Sequence, residues 1–165
     1  MKNKEKRESG MGKYAVPTMV LVIICIVVTG ALAFTYGITA PTIQKNLKEQ
    51  ERLAAQEVLG GIEGVALKSQ VKSYGGKLLA IVGISKNGEV TGVKVLTHTD
   101  TPGLGTQPMA ADYLKQYIGL TELNAEHIND DSAVDAVTGA TISSNAIYQA
   151  VSQALAEYKE SGGEQ

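Results

Sequence analysis

Cysteine is almost missing from this chain: Cys25 stands alone among 165 residues. One thiol builds no disulfide within the chain, no iron–sulfur cluster and no thiolate zinc site. Histidine is nearly as scarce, with only His98 and His127, and nothing spaces the two as ligands. No metal site is therefore expected. An excess of basic residues is lacking too, since 15 Lys and Arg stand against 17 Asp and Glu. The first 13 residues hold five of the basic side chains (Lys2, Lys4, Lys6, Arg7, Lys13) and two acids, Glu5 and Glu8. The rest of the chain carries 10 basic and 15 acidic residues, a net of −5. An acidic domain is a poor ligand for phosphate backbones, whose affinity comes from Lys and Arg, so nucleic acid is excluded as a partner. Internal repeats are absent as well.

One segment lacks charge altogether. From Tyr14 to Ile38 the chain reads YAVPTMVLVIICIVVTGALAFTYGI, long enough to cross a hydrocarbon core as a helix. Pro17 falls near its start, where a missing N–H costs little. The rival reading is a signal peptide with the basic head KNKEKR and cleavage after Ala31–Ala33, but the apolar run continues past that point to Ile38. A membrane anchor is the expectation. Five basic residues precede the span and three (Lys45, Lys48, Arg52) come soon after it, which favours a cytoplasmic N-terminus and an extracytoplasmic domain.

The expected organisation is a basic head (1–13), a transmembrane anchor (14–38), a stalk helix (39–61), a globular domain (62–160) and a frayed tail (161–165). Thr39 offers an N-cap for the stalk, Pro41 suits its first turn, and Gly60–Gly61 stop it. Residues 65–74 read as a strand, and 77–98 as a hairpin. Asn87–Gly88 is a dipeptide that readily takes the positive φ angles of a tight hairpin turn. Pro102–Gly103 is the favoured centre of a type II turn, and Gly105 marks a second close approach of backbone. A short helix is expected at 109–118, a short strand at 134–137 and a final helix over roughly 144–159. Ile147, Ala150, Val151, Ala154, Leu155 and Tyr158 share one face of that helix, which must pack on the sheet. Strands mixed with helices, without regular βαβ alternation, predict an α+β fold: an antiparallel twisted sheet with packed helices, preceded by one N-terminal transmembrane helix.

The chemistry concentrates in VDAVTGATISSNAIYQAV, 134–151. Gly139 permits a sharp turn, Ser143 or Ser144 can cap the helix, and Thr138 and Thr141 add hydroxyls nearby. The residues alone allow three readings. The turn is a plain helix cap, or its first N–H groups hold a phosphate, or Thr141 or Ser143 is a nucleophile with His98 as the only obvious base.

A resemblance bears on that choice. DAVTGAT, Asp135 to Thr141, matches the D-x-x-[S/T]-G-A-T pattern of the covalent FMN-binding domain. That domain occurs in the G subunit of the Rnf electron-transport complex and in the C subunit of the sodium-pumping NADH:quinone oxidoreductase. HTDTPGLGT (98–106) is similar to the family's H-x-E-T-P-G-L-G segment, and residues 74–96 resemble the strand pair before it. Overall, the length and the single span look more like the G subunit. The resemblance implies FMN esterified through its phosphate to the Thr141 hydroxyl by a flavin transferase. It implies that Asp135, Thr138, Gly139, Ala140 and Thr141 are the turn recognised by that enzyme. Cofactor contacts would come from Asp100, Thr101, Leu104, Thr138, Gly139, Ala140 and Ile142. Asp100 stands where the family has glutamate. Tyr74 with Gly75–Gly76 matches a turn before the hairpin and reads as structural.

The function so implied is electron transfer as a membrane flavoprotein within an ion-translocating Rnf-type ferredoxin:NAD oxidoreductase complex, whose other membrane subunits would be the partners. A free-standing anchored FMN domain serving another reductase or extracellular electron transfer has the same motif. A non-redox exported adaptor is the remaining alternative.

Overall fold

A computed structural model describes residues 11–162, so most of the basic head and the end of the expected tail (163–165) lie outside the described residues. The chain divides into two compact units between Leu47 and Lys48.

The described residues of the first unit are helix. Helix α1 covers Met11–Leu59, with Pro17 and Pro41 inside it. Its apolar side chains are exposed, among them Val16, Leu32 and Phe34. The helix is long and apolar enough to cross a membrane, with a mean hydropathy of 2.6 in its most apolar window. The expected break at residue 39 is not there. Instead of capping a new helix, the Thr39 hydroxyl donates to the Thr35 carbonyl at 2.8 Å, and Thr35 does the same to Ala31. Helix on both sides carries the chain through Pro41, although a proline inside a helix removes one backbone bond.

The second unit takes in the last turns of α1, up to the Gly60–Gly61 stop. There Gly60 N–H bonds Gln56 O, and both glycines have positive φ, +56° and +83°. Strands β1 (Gly64–Lys72), β2 (Lys77–Ser85) and β3 (Val90–Thr97) form an antiparallel sheet in the order β1-β2-β3. Register shifts at Leu79/Ala80 and Gly83/Ile84 are bulges of the kind that increase twist. The β2–β3 turn is not the two-residue type that Asn87–Gly88 suggests. Gly88 N–H bonds Ser85 O, Ser85 N–H bonds Glu89 O, and only Gly88 takes positive φ, at +81°. This is a three-residue loop ending in a left-handed glycine.

Helix α3 (Thr141–Glu160) covers one face of the sheet. Its predicted apolar face is buried, with Ile147, Ala150, Val151 and Ala154 meeting Leu78, Ala80, Val82 and Ile84 in one core. The other face packs Ile81 against Ala54 and Val58 from the end of α1. Gly83 and Gly92, paired across β2 and β3, make that approach possible. A Cβ at either would lie 2.7 or 2.8 Å from Val58 O. Thr91 Oγ1 donates to the same carbonyl at 2.7 Å.

The expected helix at 109–118 is broken into a 3₁₀ turn (Gln107–Met109), a four-residue helix α2 (Ala111–Leu114) and a second 3₁₀ turn (Lys115–Tyr117). The expected strand at 134–137 does not form. Side chains take its backbone groups instead. Asp135 N–H donates to Gln116 Oε1, Asp135 O accepts from the Tyr113 hydroxyl, and Val137 N–H donates to Ser144 Oγ.

Candidate functional site

Three segments converge on one cavity. The first is the turn between β1 and β2. Ser73 N–H bonds Gly76 O at 2.6 Å, and Tyr74 stands out of that turn, 71% exposed. The second is the loop after β3. Gly103 has φ +82°, and Leu104 and Gly105 N–H both reach back to Thr101 O, which is the turn expected from Pro102–Gly103. The third is the start of α3. Gly139, at φ +84°, reverses the chain so sharply that the helix begins at Thr141, three residues earlier than the serine positions suggest.

That early start changes the part the serines play. Ala140 is the N-cap residue and makes no side-chain hydrogen bond. Ser143 and Ser144 lie inside the helix and are buried. Ser144 Oγ donates to Ala140 O at 3.1 Å and accepts from Val137 N–H at 3.0 Å. Ser144 therefore pins the turn to the helix, and the helix end has no side-chain cap. The first N–H groups of a helix have no acceptor within it, and among the described residues no side chain supplies one here.

The cavity has a volume of about 460 Å³, within the range of small-molecule sites. Thr101, Leu104, Gly105, Gly139, Ala140, Thr141, Ile142, Ser143 and Tyr74 line it. Leu104, Ile142 and Tyr74 are large apolar side chains exposed there. The positive φ of Gly139 is what calls for glycine, since a Cβ on it would meet Leu104 Cδ1 at 3.6 Å, an ordinary van der Waals contact.

Of the residues singled out in the sequence, Thr101, Leu104, Gly139, Ala140, Thr141 and Ile142 share this wall. Asp135 and Thr138 are exposed on the preceding segment and do not line it. Asp100 does not line it either. It is 3% exposed, and its carboxylate turns inward to accept from the Ser73 hydroxyl and, at 2.5 Å, from Gly75 N–H. Burial by itself would raise its pKa. The hydrogen bonds from Ser73 and Gly75, with the nearby Ser143 hydroxyl and the charge of His98, outweigh burial and hold the carboxyl below its ordinary value. His98 thus acts on Asp100, and no hydrogen bond joins it to Thr141 among the described residues. A threonine nucleophile with a histidine base is not assembled here.

Sequence reasoning missed Tyr74 and Ser143 as wall residues. Tyr74 reads as part of a turn, and only the closure of that turn onto the 98–105 loop brings it to the cavity. There Thr99 Oγ1 donates to Gly75 O at 2.8 Å.

An uncapped helix start, a threonine hydroxyl beside it and an adjoining apolar recess suit an anion joined to a flat apolar group. Comparison with known proteins points the same way. The FMN-binding domain family matches residues 73–156, and the RnfG N-terminal region matches residues 15–58. The G subunit of the ion-translocating oxidoreductase complex of Aliivibrio fischeri is 39% identical over 93 residues, covering 52% of this chain and 44% of that protein. Its counterpart in Shewanella piezotolerans is 34% identical over 108 residues, 59% of this chain and 51% of its own length. The counterpart in Methanosarcina acetivorans is 25% identical over 167 residues, 82% of this chain and 89% of its own. The chain thus spans about half the length of the first two relatives and most of the third.

Proposed function

This chain belongs to the FMN-binding domain family, and from that premise we propose that it carries FMN in the cavity between the Thr101–Gly105 loop and the start of α3. It works there as the membrane-anchored G-type subunit of an ion-translocating oxidoreductase complex. The observation that carries this reading is Thr141 on the wall of an apolar cavity, as the first residue of a helix without a side-chain cap.

The finer reading is covalent. A flavin transferase takes FAD, the Thr141 hydroxyl forms an ester bond to the phosphorus of the FMN half, the pyrophosphate bond breaks, and AMP leaves. This domain is the substrate of that step and needs no base of its own, in keeping with the absence of a His98–Thr141 hydrogen bond among the described residues. The N–H groups at the start of α3, which favour negative charge, would hold the phosphate of the attached FMN. Tyr74, Leu104 and Ile142 supply apolar surface for the ring system. When bound, FMN accepts and returns electrons, and the protein's contribution is to hold and tune it.

The remaining subunits of an Rnf-type complex would supply the ferredoxin and NAD sites, and α1 would anchor this domain on the extracytoplasmic side. Intact-mass spectrometry after coexpression with a flavin transferase tests the attachment. An adduct of FMN mass on the wild type that disappears in Thr141→Ala is expected. An unmodified wild type, or a modified Thr141→Ala, overturns it. An impermeant label that fails to reach the domain in intact spheroplasts overturns the assigned side.

A further inference from the structure

We propose that Asp100 is a positioning residue for this site: its carboxylate, sealed behind the Gly105–Ser143 wall, ties the turn that presents Tyr74 to the loop after β3 and makes a bound flavin harder to reduce. The inference rests on the reading that the cavity holds FMN.

Asp100 is buried while Thr99 and Thr101 on either side are exposed, so the chain turns this one side chain inward. One carboxylate oxygen accepts from Ser73 and the other from Gly75 N–H, which fixes the turn that presents Tyr74. Ser143, in the first turn of α3, stands beside the same carboxylate and lowers its pKa. The packing leaves no slack around it. A Cβ on Gly75 would lie 2.1 Å from Thr99 O, and one on Gly105 would lie 2.9 Å from Asp100 Cβ and 3.2 Å from Ser143 Oγ. Gly105 and Ser143 both line the cavity, so the carboxylate stands directly behind its wall.

Its charge has no close counter-ion. Every donor is neutral, no described lysine or arginine pairs with it, and exposed His98 is the one titratable group acting on it. An asparagine of the same shape could still accept from Gly75 N–H and donate to the Ser73 hydroxyl, so Asp100→Asn removes the charge with little change in packing. A buried negative charge is weakly screened, and it opposes the arrival of electrons on a neighbouring group.

The test is a redox titration of the full-length flavinylated protein in detergent, with the adduct verified by mass beforehand. Asp100→Asn removes the charge. Its midpoint is expected to move positive by about 30 mV for a two-electron couple, a tenfold change in the oxidised-to-reduced ratio at fixed potential. Ser73→Ala removes one bond but keeps the charge. It is expected to stay at the wild-type midpoint near neutral pH. An Asp100→Asn midpoint equal to wild type, or an equal shift in Ser73→Ala, overturns the proposal and leaves Asp100 as a clamp alone. Should Asp100→Asn not fold, Ser73→Ala still decides. With a donor gone, Asp100 takes up its proton at higher pH, and the midpoint must step positive there. A midpoint–pH curve parallel to wild type throughout overturns the proposal. A wild type that carries no adduct overturns the FMN reading instead, so the two failures are distinct.

Discussion

Asp100 and Tyr117 show how differently two buried polar groups behave. Hydrogen bonds hold the Asp100 pKa below its unfolded value, so the stability it lends is present above the unfolded carboxyl pKa of about 3.9 and is lost as pH falls through the folded value. Ser73→Ala should raise that folded value and move the acid loss to higher pH, which thermal melts across an acid series will measure. Equal acid midpoints for variant and wild type would contradict this. The Tyr117 hydroxyl is fully buried and finds no hydrogen-bond partner among the described residues. Burial raises its pKa strongly, and Tyr113 sits edge-on beside it with ring centroids 6.4 Å apart. Removing an unsatisfied hydroxyl without opening a cavity costs nothing or helps. Tyr117→Phe should therefore be neutral or stabilising by about 1 kcal/mol in urea titrations. Tyr148 is the contrast, since its hydroxyl donates to Asp131 Oδ2 and accepts from Ala125 N–H. Tyr148→Phe should cost about 1–3 kcal/mol by the same measurement, because Ala125 N–H loses its acceptor.

At the scale of elements, the parts legible in the sequence were those with a strong local signal. β-rich runs around Asn87–Gly88 marked β2 and β3, and the 3.6-residue spacing of Ile147, Val151, Ala154 and Tyr158 marked the buried face of α3. The start of α3 was misplaced because serines are common caps. Here Gly139 turns the chain early, and the serines fall inside the helix. Residues 134–137 have strand composition but no strand partner, since Gln116, Tyr113 and Ser144 take their backbone groups. Gly83 and Gly92 carry a packing role that strand composition does not reveal. Either one changed to Ala places a methyl inside van der Waals distance of Val58 O. A loss of about 1–3 kcal/mol is expected, the range for overpacking, and chemical denaturation will read it. A fully stable Gly92→Ala would mean that the end of α1 shifts without cost.

For the whole molecule, the two units make separate predictions. The sheet-bearing unit begins at Lys48 and includes Ala54 and Val58, which are buried against Ile81. A fragment from Lys48 onward should fold without detergent. One starting at Ile62 should lose about 2 kcal/mol or more through exposed apolar surface, measured by thermal and urea unfolding. Equal stability of the two fragments would show that the α1 turns add nothing to the domain.

Sequence alone settled the absence of a disulfide within the chain, the charge-free apolar stretch and the α+β class, because these depend on which residues exist and how they are spaced. The DAVTGAT and TDTPGLG stretches also announced themselves as strings. That they share one cavity wall with Tyr74, that Thr141 opens α3, and that Asp100 points away from the cavity were decided by tertiary structure. Residues far apart in the chain meet only when the sheet and α3 bring their turns together. A side chain's direction depends on whichever donors it meets there, and a linear sequence carries no record of them.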